Sequence, residues 1–417
     1  MALRGKLLVP LLAALLAALP APALASPEAD AALGRSLAGA MRSGGANSGA
    51  YVVNATDGRT VLHYRHRTER VLASNTKLFT TAAALARFGE QGTLGTEVRG
   101  RGSLDAEGVW RGDLYLRGGG DPSFGSSRFV RRAYGSGATV EELAKRLQAL
   151  GIERVSGRVY GDESRFDARR GGPESFFRTS IWVGPLSALA YNRGLARESG
   201  RSFQTDPARF AAGRLDAALE ARGIPVGPAA RASTTPGGAR TLASVDSPPM
   251  ERLTRITNKP SDNFFAEMLL KDLAVSAGSR GTTARGARVA AAFARRLGAS
   301  VRLADGSGLS RANRASPYRV TRLLLGMRAR DEFQAFRDSL SVAGRDGTLA
   351  PRMRNGAARG RCRAKTGTII GVSALSGYCE ARSGDTYAFS ILMNGVGTIG
   401  ARNIQDRMAH LMAAVLD

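Results

Sequence analysis

Lysine is almost missing from this chain, and the places where it survives constrain the fold most. Of the 60 basic residues only six are lysine: Lys6, Lys77, Lys145, Lys259, Lys271 and Lys365. Arginine fills the other 54 basic positions and holds its proton at any ordinary pH, so a deprotonatable amine is what it cannot supply. Three of the six lysines lie in or beside short motifs. These are Ser74-Asn75-Thr76-Lys77, Ser261-Asp262-Asn263 with Lys259 two residues before it, and Lys365-Thr366-Gly367. By composition S-x-x-K is expected about 0.5 times in such a chain, S-x-N about 0.8 times and K-T-G about 0.04 times. The third motif therefore discriminates, and the three in this order form one signal. Ser74 and Lys77, three apart at a predicted helix start, lie on one face, so the amine reaches the hydroxyl. A helix N-terminus favours developing negative charge and helps depress a neighbouring lysine's pKa.

Composition bounds the rest. A chain of 417 residues with 43% hydrophobic residues can build the cores of two or three packed domains, which excludes a disordered or collagen-like chain. The net charge of +25 is spread along the chain, which argues for a basic surface with affinity for anionic polymers such as cell wall. A dedicated nucleic-acid protein would concentrate it. Residues 1–25 carry Arg4 and Lys6, an apolar run from Leu7 to Leu19, and Ala23-Leu24-Ala25 before Ser26, the pattern of a secretory signal peptide. No later stretch approaches 18 apolar residues. The expectation is an exported, periplasmic protein with no transmembrane segment after signal cleavage.

The two cysteines fit that compartment. Cys362 and Cys379 would stand opposite each other if a hairpin turned near Ile370 and Gly371. A cross-strand disulfide or two free buried thiols both satisfy the sequence.

Along the chain, residues 50–65 read as a hairpin around Asp57-Gly58, followed by a helix from Ser74 to Phe88. Gly-punctuated strands occupy 92–167, interrupted by one helix over 140–150, and Asp206-Pro207 opens another that runs to Arg222. Residues 233–248 read as a linker. From Ile256 the chain is helical to Leu297, then from Pro317 to Met327. The Cys-bearing hairpin, a strand over 387–393 and a closing helix over 402–415 end it. The fold class is α/β (α+β): one domain from the two ends of the chain, residues 26–95 and 251–417, around an inserted strand-rich region, 96–250.

The three motifs resemble those of the penicillin-binding protein and serine β-lactamase superfamily. Ser74 and Ser261 are 187 residues apart, more than a β-lactamase domain requires. The segments SNTKLFTTAAAL (74–85), GGGDPSF (118–124), NKPSDNFFAEMLLK (258–271), DGSGLS (305–310), GRDGTL (344–349) and RAKTGTIIGVSALSGY (363–378) are similar to the class C low-molecular-mass penicillin-binding proteins, the D-alanyl-D-alanine carboxypeptidase/endopeptidases. That resemblance implies peptidoglycan stem peptides as substrates, β-lactams as inhibitors, and no cofactor. It implies Ser74 as nucleophile, Lys77 as its base, Ser261 as proton relay, and Asn263 orienting Lys77 and the substrate amide. Lys365, with Thr366 and Gly367, would bind the terminal carboxylate, and the N–H groups of Ser74 and Thr368 would form an oxyanion hole. Asp167 and Arg311 match, by position, residues that hold a diaminopimelate side chain.

Other features point away from other chemistries. On a continuous strand His63 and His66 would face opposite sides, so no metal site is expected. Residues 118–121 lack the Gly-Lys-Ser/Thr of a phosphate loop. A class A β-lactamase requires a glutamate in an E-x-x-L-N context, which neither Glu267 nor Glu332 provides. A catalytically idle wall-binding protein would be expected to lose Ser74 or Lys77.

Overall fold

The computed structural model describes residues 25–416. The signal peptide expected over 1–25 lies outside the described residues but for Ala25. In chain order the elements are α1 (Pro27–Arg42), β1 (Ser48–Asn54), β2 (Thr60–Tyr64), β3 (Arg70–Val71), α2 (Thr76–Phe88), β4 (Gly95–Leu104) and β5 (Val109–Arg117). Then come α3 (Ser127–Tyr134), α4 (Val140–Ala149), β6 (Arg154–Val155), β7 (Val159–Asp162), α5 (Pro207–Glu220), β8 (Arg231–Ala232) and β9 (Arg240–Asp246). Next are α6 (Met250–Asn258), α7 (Asn263–Ser276), α8 (Thr283–Arg296), β10 (Arg314–Ala315), α9 (Pro317–Arg328), α10 (Phe333–Asp338) and β11 (Ser341–Val342). The last four are β12 (Cys362–Ile369), β13 (Val372–Glu380), β14 (Thr386–Asn394) and α11 (Thr398–Ala414).

The two ends of the chain share one sheet. Its strand order is β11-β12-β13-β14-β1-β2, so β1 from the beginning pairs antiparallel with β14 from the end. Strands β13 and β14 are almost continuously buried, as a strand covered on both faces must be. One face meets α1 and α11 through Leu33, Leu37, Met408 and Met412, and the other is covered by α9, whose Leu324 shares a core with Leu78 of α2 and Leu269 of α7. A second sheet, β8-β7-β5-β4-β9 with β6 alongside β5, is built from residues 95–246 and has its own core around Trp110, Leu143 and Leu215.

Several expectations are corrected. The segment 233–248 is not simply a linker: β9 lies in it and pairs with β4, because Ala243 and Val245 alternate inward, and Leu242, skipped by the register shift, packs on the same core. The strand-rich region holds a second helix, α3, which Ser126 caps by accepting from the Phe129 N–H. The helical stretch begins earlier, at Met250, and breaks into three helices. His63 and His66 do not diverge. Strand β2 ends at Tyr64 and Arg65 takes φ 44°, which swings the His66 ring to 5.7 Å from that of His63.

The hairpin register is the expected one. Cys362 pairs with Cys379 across β12 and β13, with Cα atoms 4.0 Å apart and a disulfide between them. Its sulfurs lie against the Ala409 carbonyl of α11, on the face of the sheet away from Lys365. The bridge closes a short loop, which limits its entropic contribution to about 3 kcal/mol. Cys362→Ala/Cys379→Ala should therefore lower the melting temperature yet leave reaction with a fluorescent penicillin at 25 °C within about twofold. An unchanged melting temperature would show that the surrounding sheet alone holds the hairpin.

Candidate active site

Helix α2 places the first motif. A 3-10 turn over Ala73–Asn75 leads into it, with Ala73 at φ 46°, so the chain bends sharply and presents Ser74 half-exposed at the helix entrance. Asn75, buried below, donates to the Ser376 hydroxyl of β13 at 3.0 Å and ties the helix start to the sheet. Two glycines allow the close approach. A Cβ on Gly367 would lie 2.8 Å from the Leu72 carbonyl oxygen, and one on Gly308, at φ 90°, only 1.9 Å from that of Ala73. The glycines of K-T-G and of 305–310 are thus spacing devices: any side chain would push β12 or the loop off Ser74.

Lys77, fully buried, is the second residue of α2, one turn after Ser74. Its Nζ is 3.1 Å from Ser74 Oγ, 2.7 Å from Asn263 Oδ1 and 2.6 Å from the Ser307 carbonyl oxygen. Asn263 Nδ2 donates to the Trp182 carbonyl at 3.1 Å, which fixes Oδ1 as the atom facing Lys77. Burial pushes the Lys77 amine down to about 8, against the charges of Asp305, Asp262 and Glu267, which favour the ammonium. An ammonium finds three acceptors here. A neutral amine has two N–H bonds and a lone pair. Since Asn263 Oδ1 and the Ser307 carbonyl can only accept, the lone pair is left for the Ser74 O–H.

Asn263 is the first residue of α7. Asp262 caps that helix by accepting from the Phe265 N–H at 3.0 Å, and it pairs with Arg193 at 2.6 Å. Ser261, on the turn between α6 and α7, is half-exposed at φ 63°. The second motif is tied to the third through Lys259, which pairs with Asp346, while its carbonyl accepts from the Thr348 N–H at 3.0 Å. Thr366 Oγ1 in turn donates to Thr348 Oγ1 at 2.7 Å.

Lys365, in β12, is fully buried and donates to the Thr366 carbonyl at 3.0 Å. Burial and then the neighbouring Lys77 hold its amine well below the usual lysine range. An arriving carboxylate would restore its charge. Thr368 follows three residues on, exposed at the sheet edge.

The structure thus gathers Ser74, Lys77 and Asn263 by direct hydrogen bonds, and it brings Lys365 beside Lys77. Arg311 stands apart, exposed and donating to the Ile370 carbonyl at the hairpin tip. Asp167 is engaged elsewhere: its Oδ1 accepts from Lys271 Nζ at 2.6 Å and is hydrogen-bonded to none of the three motifs. Sequence reasoning missed Glu267, Asp305 and Arg193. Glu267 was legible as the one carboxylate inside the apolar run 264–270 of α7, four residues and therefore one turn from Asn263.

The profile of the D-Ala-D-Ala carboxypeptidase 3 (S13) family matches residues 30–199 and 192–415, nearly the whole described chain. The chain belongs to this family. The S13 chain is 30% identical over 455 residues to a D-alanyl-D-alanine carboxypeptidase from Actinomadura sp. (strain R39), covering 88% of itself and 81% of that protein. Its fold matches the crystal structure of penicillin binding protein 4 (dacB) from Haemophilus influenzae with a TM-score of 0.75 at 20% identity, over 89% of this chain and 99% of the other. The same protein complexed with a β-lactam matches with a TM-score of 0.72 at 19% identity, over 91% and 99%. The resemblance to class C penicillin-binding proteins read from the motifs is borne out.

Ser261 yields a test of the site's backbone. A non-glycine residue in the left-handed region costs about 1–2 kcal/mol, and glycine recovers part of it after its own entropic penalty of about 0.5–1 kcal/mol. Ser261→Gly should therefore melt above Ser261→Ala, by up to about 1 kcal/mol in stability. Equal melting temperatures would mean that position 261 is not left-handed in solution.

Proposed function

We propose that this S13-family chain is an exported, periplasmic serine peptidase that cleaves D-alanyl-D-alanine at the end of peptidoglycan stem peptides through a Ser74 acyl-enzyme. Its carboxypeptidase and cross-link endopeptidase reactions share that bond chemistry. The observation that carries the reading is the Lys77 amine, whose two fixed acceptors leave its lone pair to Ser74 at 3.1 Å. Lys77 takes the Ser74 proton as Oγ attacks the penultimate D-alanine carbonyl. The Ser74 and Thr368 N–H groups stabilise the oxyanion. Ser261 passes the proton to the departing D-alanine amine, and water then releases the acyl group. Lys365, with Thr366 and Gly367, receives the terminal carboxylate, and Asn263 orients both Lys77 and the substrate amide. A β-lactam acylates Ser74 by the same route.

Arg311 on the exposed rim and Asp167, through the oxygen that Lys271 leaves free, would meet a charged stem-peptide side chain. The proposed domain division takes 26–95 and 251–417 as the transpeptidase-like domain and 96–250 as the insertion, a reading that the two separate sheets support, with 1–25 as a signal peptide. A β-lactamase reading gains nothing from Glu267, whose Oε1 accepts from the Gly306 and Ser307 N–H groups instead of facing a water beside Ser74.

A fluorescent penicillin should label the wild type and fail to label Ser74→Ala. Labelling of the alanine variant at the wild-type rate would remove the assignment. The pH dependence follows from the sign of the Lys77 shift. The base is the neutral amine, so the acylation rate should rise with pH, about tenfold per unit, and level off above about 8. A rate that is flat between pH 6 and 9 would mean that another group is the base.

A further inference from the structure

The loop 305–310 supplies one of the two acceptors that aim the Lys77 lone pair, yet a carbonyl in a glycine-bearing loop has no orientation of its own. Two carboxylates hold this loop. Asp305 Oδ1 accepts from the Gly308 N–H at 2.8 Å and Asn313 Nδ2 at 2.6 Å, and its Oδ2 accepts from the Ser310 N–H at 2.7 Å, which closes the loop on itself. Glu267 reaches in from α7. Its Oε1 accepts from the Gly306 N–H at 3.0 Å and the Ser307 N–H at 2.8 Å, the two amides that lead into the Ser307 carbonyl facing Lys77, while the N–H of that carbonyl's own peptide, Gly308, is the one Asp305 holds.

Glu267 stands one helical turn after Asn263, so a single helix face carries both supports of the amine. Asn263 touches Lys77 directly, and Glu267 acts through the Ser307 peptide. The glutamate is fully buried, and its Oε2 has no hydrogen-bond partner among the described residues. An unsatisfied buried carboxylate oxygen is costly, and an apolar residue of similar size would suit the surrounding helix better for stability alone. Burial and the nearby Asp305 push its carboxyl up to about 8.

We propose that Glu267 is a positioning residue for acylation: by anchoring the Gly306 and Ser307 amides it fixes the Ser307 carbonyl against Lys77 and so aims the Lys77 lone pair at Ser74. This rests on the reading of Lys77 as the base. What the role requires is an acceptor oxygen at that place, not a charge. Gln supplies the oxygen, Leu does not, and Asp withdraws it by one methylene.

The test is penicillin acylation of the full chain, resolved into the non-covalent dissociation constant and the acylation rate constant, for wild type, Glu267→Gln, Glu267→Leu and Glu267→Asp. Glu267→Gln should keep the rate constant within about threefold. Glu267→Leu should lose at least about tenfold in the rate constant, with the dissociation constant within about twofold. Should the leucine variant not fold, Glu267→Asp, which keeps the acid and adds no bulk, takes its place with the same expected loss. Leu and Asp variants acylating at the wild-type rate would overturn the proposal, as would a Gln variant as slow as Leu. If wild type itself is not acylated at Ser74, the base reading fails instead, and the two failures are told apart.

Discussion

An amine without water is the constraint on which the rest of this structure depends. A lysine at the surface is an ammonium and useless as a base near neutral pH, so the base role proposed for Lys77 requires an amine out of solvent whose hydrogen bonds are still satisfied. The fold supplies both, with acceptors from separate parts of the chain: the Ser307 carbonyl, Asn263 Oδ1 and Ser74 Oγ. Burial lowers the amine's affinity for a proton. The acidic groups around it, Asp305, Asp262 and Glu267, keep the shift moderate, which places the amine where it can both accept and return a proton.

The architecture serves that convergence. The sheet closes β14 against β1, which brings residues near the two chain ends into one layer and holds the start of α2 against it. Glycines at 308 and 367 let the loop and β12 come within contact of the segment before Ser74. The tie from Lys259 through Asp346 and Thr348 to Thr366 joins the second motif to the third, so the cleft's walls are fixed to each other. The disulfide lies on the opposite face of the same sheet, where it stiffens β12 without entering the cleft.

Much of this was legible from residues alone. The hairpin register followed from the positions of Cys362 and Cys379 about one turn, and the helix bearing Lys77 from the spacing of Leu78, Ala82 and Leu85. What escaped did so for physical reasons. Strand β9 hid in a Pro/Gly/Ser-rich stretch because its strand identity comes from pairing with β4, a non-local partner. The meeting of His63 and His66 depended on one left-handed residue, Arg65, which no periodicity announces. Asp305 escaped because its role is to hold backbone amides, and a loop's amides leave no mark in the sequence; Glu267 showed only as a carboxylate among apolar neighbours, without the amides it holds.

The scarcity of lysine that first drew attention to the site also makes its central claim measurable. Only five lysines lie among the described residues, so an isotope-labelled lysine sample gives few side-chain signals, and Lys77→Arg identifies the one in question. Nuclear magnetic resonance titration of that signal in the resting protein reads the protonation of the amine directly. The account predicts a midpoint near 8. A midpoint at or above 10, where solvated lysines titrate, would contradict it.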